Sequence, residues 1–208
     1  MLVWLWSLAA GALALAASVA LFILSHRLIR WPEPARVDLS HIPLITLLPS
    51  LLMSAMVAGI SEEAGFRGYM QGPLERRYGS VMGIALTSIA FGLAHLSHGV
   101  FLPAILFDIA WGALYGLLTC WSGSILPAIV LHSSADAVEF LAARRFPSLK
   151  PPPLVWATGP DRSLWFNGVL VVLLGSVSVW AFAQLARMRP QPLASSADEG
   201  SRRLCGRK

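Results

Sequence analysis

Residues 49–74 read PSLLMSAMVAGISEEAGFRGYMQGPL. For a dozen positions this is the chemistry of a membrane span, and it then continues through Glu62, Glu63 and Arg67 without a turn signal. Only at Gly68, Gly72 and Pro73 does the helical character loosen. A bilayer admits such a segment only as a helix, because each backbone polar group must be satisfied inside its own span. The expectation is one long, broken helix from about Pro49 to Leu74. It continues an apolar stretch that begins at Ile42 and carries Pro43 and Pro49.

The rest of the chain agrees with that solvent. Of its 208 residues 56% are hydrophobic and 13% are charged, whereas a soluble domain has about 25% charged residues. Sixteen basic and eleven acidic side chains cannot cover that much apolar surface. Soluble enzymes and disordered regulators are therefore excluded. The net charge of +5 sits in short flanks between apolar runs, which fits anionic lipid headgroups as partners and not nucleic acid. Cys120 and Cys205 form no C-x-x-C pair, so no redox or disulfide framework is expected. Gly206, Arg207 and Lys208 after Cys205 lack the aliphatic pattern of a prenylation signal.

A span needs about 20 apolar residues. Leu2 to Leu24 supplies one with no Lys or Arg before it, longer than a signal-peptide core, and reads as a retained anchor. Val81–Leu96, Val100–Trp121 and Ser124–Ala143 are three more, joined by turns short enough to make them antiparallel neighbours, and Leu164–Leu185 is the last. The fold expected is an all-α polytopic membrane protein of about six transmembrane helices with a four-helix catalytic core. The division reads as 1–41 anchor and linker, 42–143 core, 144–189 Pro-rich connector and last span, and 190–208 a disordered basic tail. Basic residues divide eight against seven between the two faces, so orientation is not fixed. No internal repeat is present, which argues against a transporter.

Ionisable residues within spans are expensive and therefore functional candidates. Glu63 and Arg67 are four apart and stack on one helical face as a charge-assisted pair. Glu62 is rotated by about 100° from Glu63 and is left for chemistry. Glu62 lies 17 residues before Gly79 and His95 lies 16 after it. If the chain reverses there, both are roughly 25 Å from the turn and can meet. A carboxylate with an imidazole is what activation of a water requires. Phe91, one turn before His95, shares its face. His98 reads as an interfacial histidine. His132 and Asp136 are again four apart on one face, at a depth only roughly matched, about 13 Å from the turn near Gly123. Tilted or broken helices must close that gap. Asp108 has no role beyond a helix-to-helix hydrogen bond.

Three motifs then stand in order. Glu62-Glu63-Ala64-Gly65-Phe66-Arg67 matches E-E-x-x-x-R, Phe91-Gly92-Leu93-Ala94-His95 matches F-x-x-x-H, and His132-Ser133-Ser134-Ala135-Asp136 matches H-x-x-x-(N or D). Together they resemble the CPBP family of intramembrane proteases, also called the CAAX protease and bacteriocin-processing or Abi family, related to the Rce1-type endopeptidases. Gly123-Ser124-Ile125-Leu126-Pro127-Ala128 is similar to the family's lead-in to the third motif, and the resemblance covers about residues 45 to 142.

What the resemblance implies is an endopeptidase that hydrolyses a peptide bond near or within the membrane. Glu62 would be the general base with His95, and His132 and Asp136 would hold the water or the oxyanion. Glu63, Arg67 and Phe91 would support them. The family's class, metallo or glutamic, is left open. Asp136 departs from the commoner Asn: an amide donates to an oxyanion and an ionised carboxylate does not. Two histidines with one or two carboxylates suit zinc, held in that case by Glu62, His95, His132 and Asp136. A membrane protein or lipid-modified peptide is the implied substrate, and the cytoplasmic (inner) membrane of a bacterium the expected location. Readings from other classes are a non-catalytic membrane partner or immunity-type protein of the same fold, a bis-histidine haem protein, and an ion pathway through Glu62, Asp108 and Asp136.

Overall fold

A computed structural model describes residues 2–32, 42–98, 100–145 and 152–188. Among them every regular element is helical, and the chain is an all-α polytopic membrane protein. In order these are α1 (Leu2–Leu28), α2 (Leu44–Glu63), a π-helical segment (Ala64–Gln71), α3 (Gly72–Tyr78), α4 (Ser80–Ala94), a 3-10 turn (His95–His98), α5 (Leu102–Ser122), α6 (Leu126–Arg145), α7 (Val155–Thr158) and α8 (Arg162–Arg187).

Among the described residues, four helices are long and apolar enough to cross a membrane: α1, the continuous Leu44–Tyr78 helix, α5 and α8. Of the six expected spans, the remaining two differ from a plain span. Ser80–Ala94 is apolar but has only 15 residues, about 22 Å of helix. Leu126–Arg145 spends part of its length on His132, Asp136 and Glu139. The broken helix runs further than its sequence suggests, from Leu44 to Tyr78, and its irregularity is a π segment and not an interruption. Of the expected connector, Pro152–Leu154 form no regular element, Leu154 is extended, and four residues then form α7. The second half of the linker (33–41), the start of the connector, the basic tail and the His98 side chain lie outside the described residues.

Glycines at positive φ make the two reversals the sequence pointed to: Gly79 (φ 83) between α3 and α4, and Gly123 (φ 69) after α5. The antiparallel neighbours then pair as α1 with α8, α4 with α5, and α2 with α6. The sequence expectation of serial neighbours holds for α4 and α5, but α6 packs chiefly against α2. Small residues decide this, because in lipid it is close backbone approach that drives helices together. A Cβ built on Gly59 of α2 would lie 2.9 Å from the Ser133 backbone nitrogen of α6, and one on Gly112 of α5 would lie 3.0 Å from the Ser88 Cα of α4. Gly59→Leu is therefore expected to force α2 and α6 apart at a cost of about 1–3 kcal/mol, read as a lower thermal midpoint. A Leu variant with unchanged midpoint would mean the approach is not needed.

The core lies where α1, α5, α6 and α8 meet, at Ala10, Tyr115, Leu118, Ala128, Leu131 and Leu185. Trp6 and Trp180 pack edge to face at 5.3 Å, and Ser178 Oγ donates to the Ala10 carbonyl across α1 and α8 at 3.1 Å. At the far end of the same pair, Arg27 is 2% exposed. It donates to the carbonyls of Pro153 and Gly159 and pairs with Asp161 at 3.1 Å. Asp161 also caps α8, accepting from the Leu164 N–H at 2.9 Å. One buried cation thus ties the connector to the first span.

Candidate functional site

The site forms where the long helix changes partners. Below Glu63, α2 runs along α6, and beyond it the π segment and α3 run along α4 and α5. Arg67 and Gln71, one turn apart on the π segment, reach across to α5 and donate to the carbonyls of Gly112 (2.9 Å) and Gly116 (3.0 Å). π-helical turns recur at functional sites because the extra residue re-aims side chains.

Glu63 and Arg67 form the expected pair, Arg67 Nη1 to Glu63 Oε1 at 2.9 Å, with both side chains wholly buried. Phe91, Tyr115 and Phe66 ring the guanidinium, their centroids 4.5, 5.5 and 5.6 Å from its carbon. The same Glu63 oxygen also accepts from His132 Nδ1 at 2.9 Å. Sequence spacing assigned Glu63 to Arg67 alone. Its second partner comes from α6, and no local spacing encodes that.

His95 ends α4 at φ −84, ψ 1, and its Nδ1–H donates to the Phe91 carbonyl at 2.8 Å. A carbonyl can only accept, and so can a carboxylate already holding an arginine. Both imidazoles therefore carry hydrogen on Nδ1. In the neutral rings the Nε2 atoms are then the lone-pair atoms, and each lies 3.8 Å from Glu62 Oε2. Asp136 Oδ2 lies 3.7 Å from His132 Nε2. The Glu62 side chain is 31% exposed where Glu63 is 0%, so one glutamate is locked and its neighbour faces an open side. Glu62 Oε2 itself has no hydrogen-bond partner.

The structure thus brings together Glu62, Glu63, Arg67, Phe91, His95, His132 and Asp136 from α2, the π segment, α4 and α6. Asp108 is half-buried on α5. Two residues that the sequence reading missed belong to the assembly. Tyr115 stacks flat on His132 (centroids 4.8 Å apart, 11° between planes) and is 2% exposed. Gln71, 1% exposed, bonds both Glu75 and the Gly116 carbonyl. A signal existed for each. Arg67, Gln71 and Glu75 repeat at four-residue intervals, and Tyr115 follows Trp111 by four in an otherwise apolar helix.

In residue type the cluster suits zinc, and its donors stand within a few tenths of an ångström of zinc spacing. Donors on a tetrahedral zinc stand about 3.4 Å apart, against the 3.7 to 3.8 Å here. Among the described residues no group of three or more His, Cys, Asp or Glu is arranged to hold a metal ion.

Residues 43–138 match the family model described as type II CAAX prenyl endopeptidase Rce1-like. It is the family to which the three motifs point. No curated protein and no solved structure gives a significant match.

Proposed function

We propose, taking as premise that residues 43–138 are Rce1-like in sequence, that this membrane protein is an endopeptidase in which Glu62 activates water. The observation that carries the reading is the placement of Glu62 Oε2 at 3.8 Å from the Nε2 atoms of two histidines on two other helices. Each ring is fixed from behind through Nδ1, by Phe91 and by Glu63. Glu62 Oε2 has no hydrogen-bond partner, and a water bound beside it would supply the hydrogens that this oxygen and a neighbouring imidazole nitrogen accept.

In the proposed reaction the water oxygen bonds to the scissile carbonyl carbon while its proton passes to Glu62. The C–N bond then breaks as Glu62 returns that proton to the leaving nitrogen. His95 holds the water through its Nε2. His132, anchored on Glu63 and stacked on Tyr115, keeps its Nε2 aimed at the same point. There it holds the water when neutral and donates to the oxyanion when protonated. Asp136, beside that nitrogen, orients it or, when protonated, donates to the oxyanion itself. The substrate class is a membrane protein or lipid-modified peptide cleaved near the bilayer, and the proposed location is a bacterial cytoplasmic membrane.

The test compares protein C-termini, by mass spectrometry, in cells carrying the intact chain and its Glu62→Gln variant. Termini that depend on Glu62 identify the substrate, and an identical set in both strains overturns the reading.

Asp136→Asn reports on the mechanism. If position 136 serves the oxyanion without metal, the variant retains or raises activity, since an amide donates without taking up a proton. If Asp136 held a metal, the same change would lower both metal content and activity, with partial rescue by zinc. Retained activity is the expected result. An active Asn variant that loses function on chelation and recovers with zinc would defeat the metal-free version.

A further inference from the structure

The end of α1 carries two arginines, three residues apart, with different fates. Arg27 is buried and spent on Asp161 and the connector carbonyls. Arg30 is exposed and makes no ion pair among the described residues. Beside it opens a cavity of about 300 Å3, with His26, Arg30 and Trp31 on one side and Pro152, Pro153 and Leu154 on the other.

The aromatic side is preformed. Trp31 Nε1 donates to Ser25 Oγ at 2.9 Å, and its indole stacks on His26 (5.0 Å, 9°). Phe22, Phe101 and Phe107 meet it edge-on at 4.9 to 5.9 Å. His26 Nδ1–H donates to the Phe22 carbonyl at 2.9 Å, which holds the ring in place. Among the described residues that line the cavity, Arg30 is the one that is always charged and none is acidic, while Asp161 close by already has Arg27 and the α8 backbone as partners. α1 ends here, and Trp156, Trp165 and Phe166 stand exposed on α7 and the start of α8, the pattern of aromatics at the headgroup level of a membrane.

We propose that this cavity binds the phosphate of an anionic membrane lipid, with Arg30 as the cation that recognises it. A guanidinium pairs with phosphate oxygens through charge-assisted hydrogen bonds, and basic pockets between spans are a general form of headgroup recognition. The glycerol end of the headgroup lies against the proline stretch, and the acyl chains run down the apolar surface of α1 and α8.

The experiment uses the full chain in nanodiscs of phosphatidylcholine mixed with phosphatidylglycerol. Native mass spectrometry then counts the lipid retained after the discs are stripped. The intact chain is expected to keep phosphatidylglycerol in preference to phosphatidylcholine, and Arg30→Ala to lose about tenfold in that retention, the worth of one hydrogen bond to a charged group. Arg187→Ala, an exposed arginine at the opposite end of α8, is expected to retain it. Inorganic phosphate should displace the lipid only at large excess. Equal retention by Arg30→Ala and the intact chain overturns the site. Saturable binding of inorganic phosphate with no lipid preference overturns the lipid as its source.

Discussion

Glu62→Gln is expected to abolish cleavage while leaving the protein as abundant and as thermally stable as the unaltered chain. The substitution keeps volume and the carbonyl oxygen but removes the proton acceptor, and loss of a positioned general base costs about a hundredfold to ten-thousandfold in rate. Stability should be spared because Glu62 contributes no packed pair: its side chain is 31% exposed and its nearest ring nitrogens are 3.8 Å away. The measurement is the appearance of Glu62-dependent C-termini together with a melting curve of the purified chain. A glutamine variant that cleaves at near-normal rate would transfer the base to another group. One that unfolds would show Glu62 to be a structural partner instead.

The contrast between two adjacent glutamates was legible in the sequence, because four-residue spacing gives Arg67 to Glu63 and rotates Glu62 away. So was the meeting of Glu62 with His95, through equal chain distance from Gly79. What could not be read is how His132 reaches the same depth. The answer lies in the long helix, which changes partners at Glu63 and relaxes into π geometry as Arg67 and Gln71 reach for two α5 carbonyls. That distortion is a tertiary effect: the interactions that accompany it lie 45 residues away in sequence, beyond any local period. The pairing of α6 with α2 escaped for a similar reason. Short turns suggested serial neighbours, whereas the close approach at Gly59 and Ser133 depends on which small residues face each other.

Glu63→Gln should act on stability first and on activity through it. Glu63 Oε1 receives both Arg67 Nη1 and His132 Nδ1 at 2.9 Å, and the Arg67 side chain has no exposed surface. With the charge gone, Arg67 keeps the Gly112 carbonyl and its aromatic ring of neighbours, but its cation is uncompensated in a dry interior. Breaking a buried pair from one side costs about 3–5 kcal/mol, roughly a 10 °C fall in midpoint for a chain of this size. Removing both charges, as in Glu63→Gln with Arg67→Met, should restore much of the lost stability, since a buried pair replaced by apolar groups of similar volume is often neutral. Activity should not return with it. His132 would have exchanged an ionised anchor on Nδ1 for an amide, loosening the ring that Tyr115 stacks on and with it the aim of Nε2 at Glu62. Melting curves and cleavage by the single and double variants separate the two duties. A double variant that regains both would leave Glu63 only the task of neutralising Arg67, and His132 would then be aimed by packing against Tyr115 and Phe91 alone.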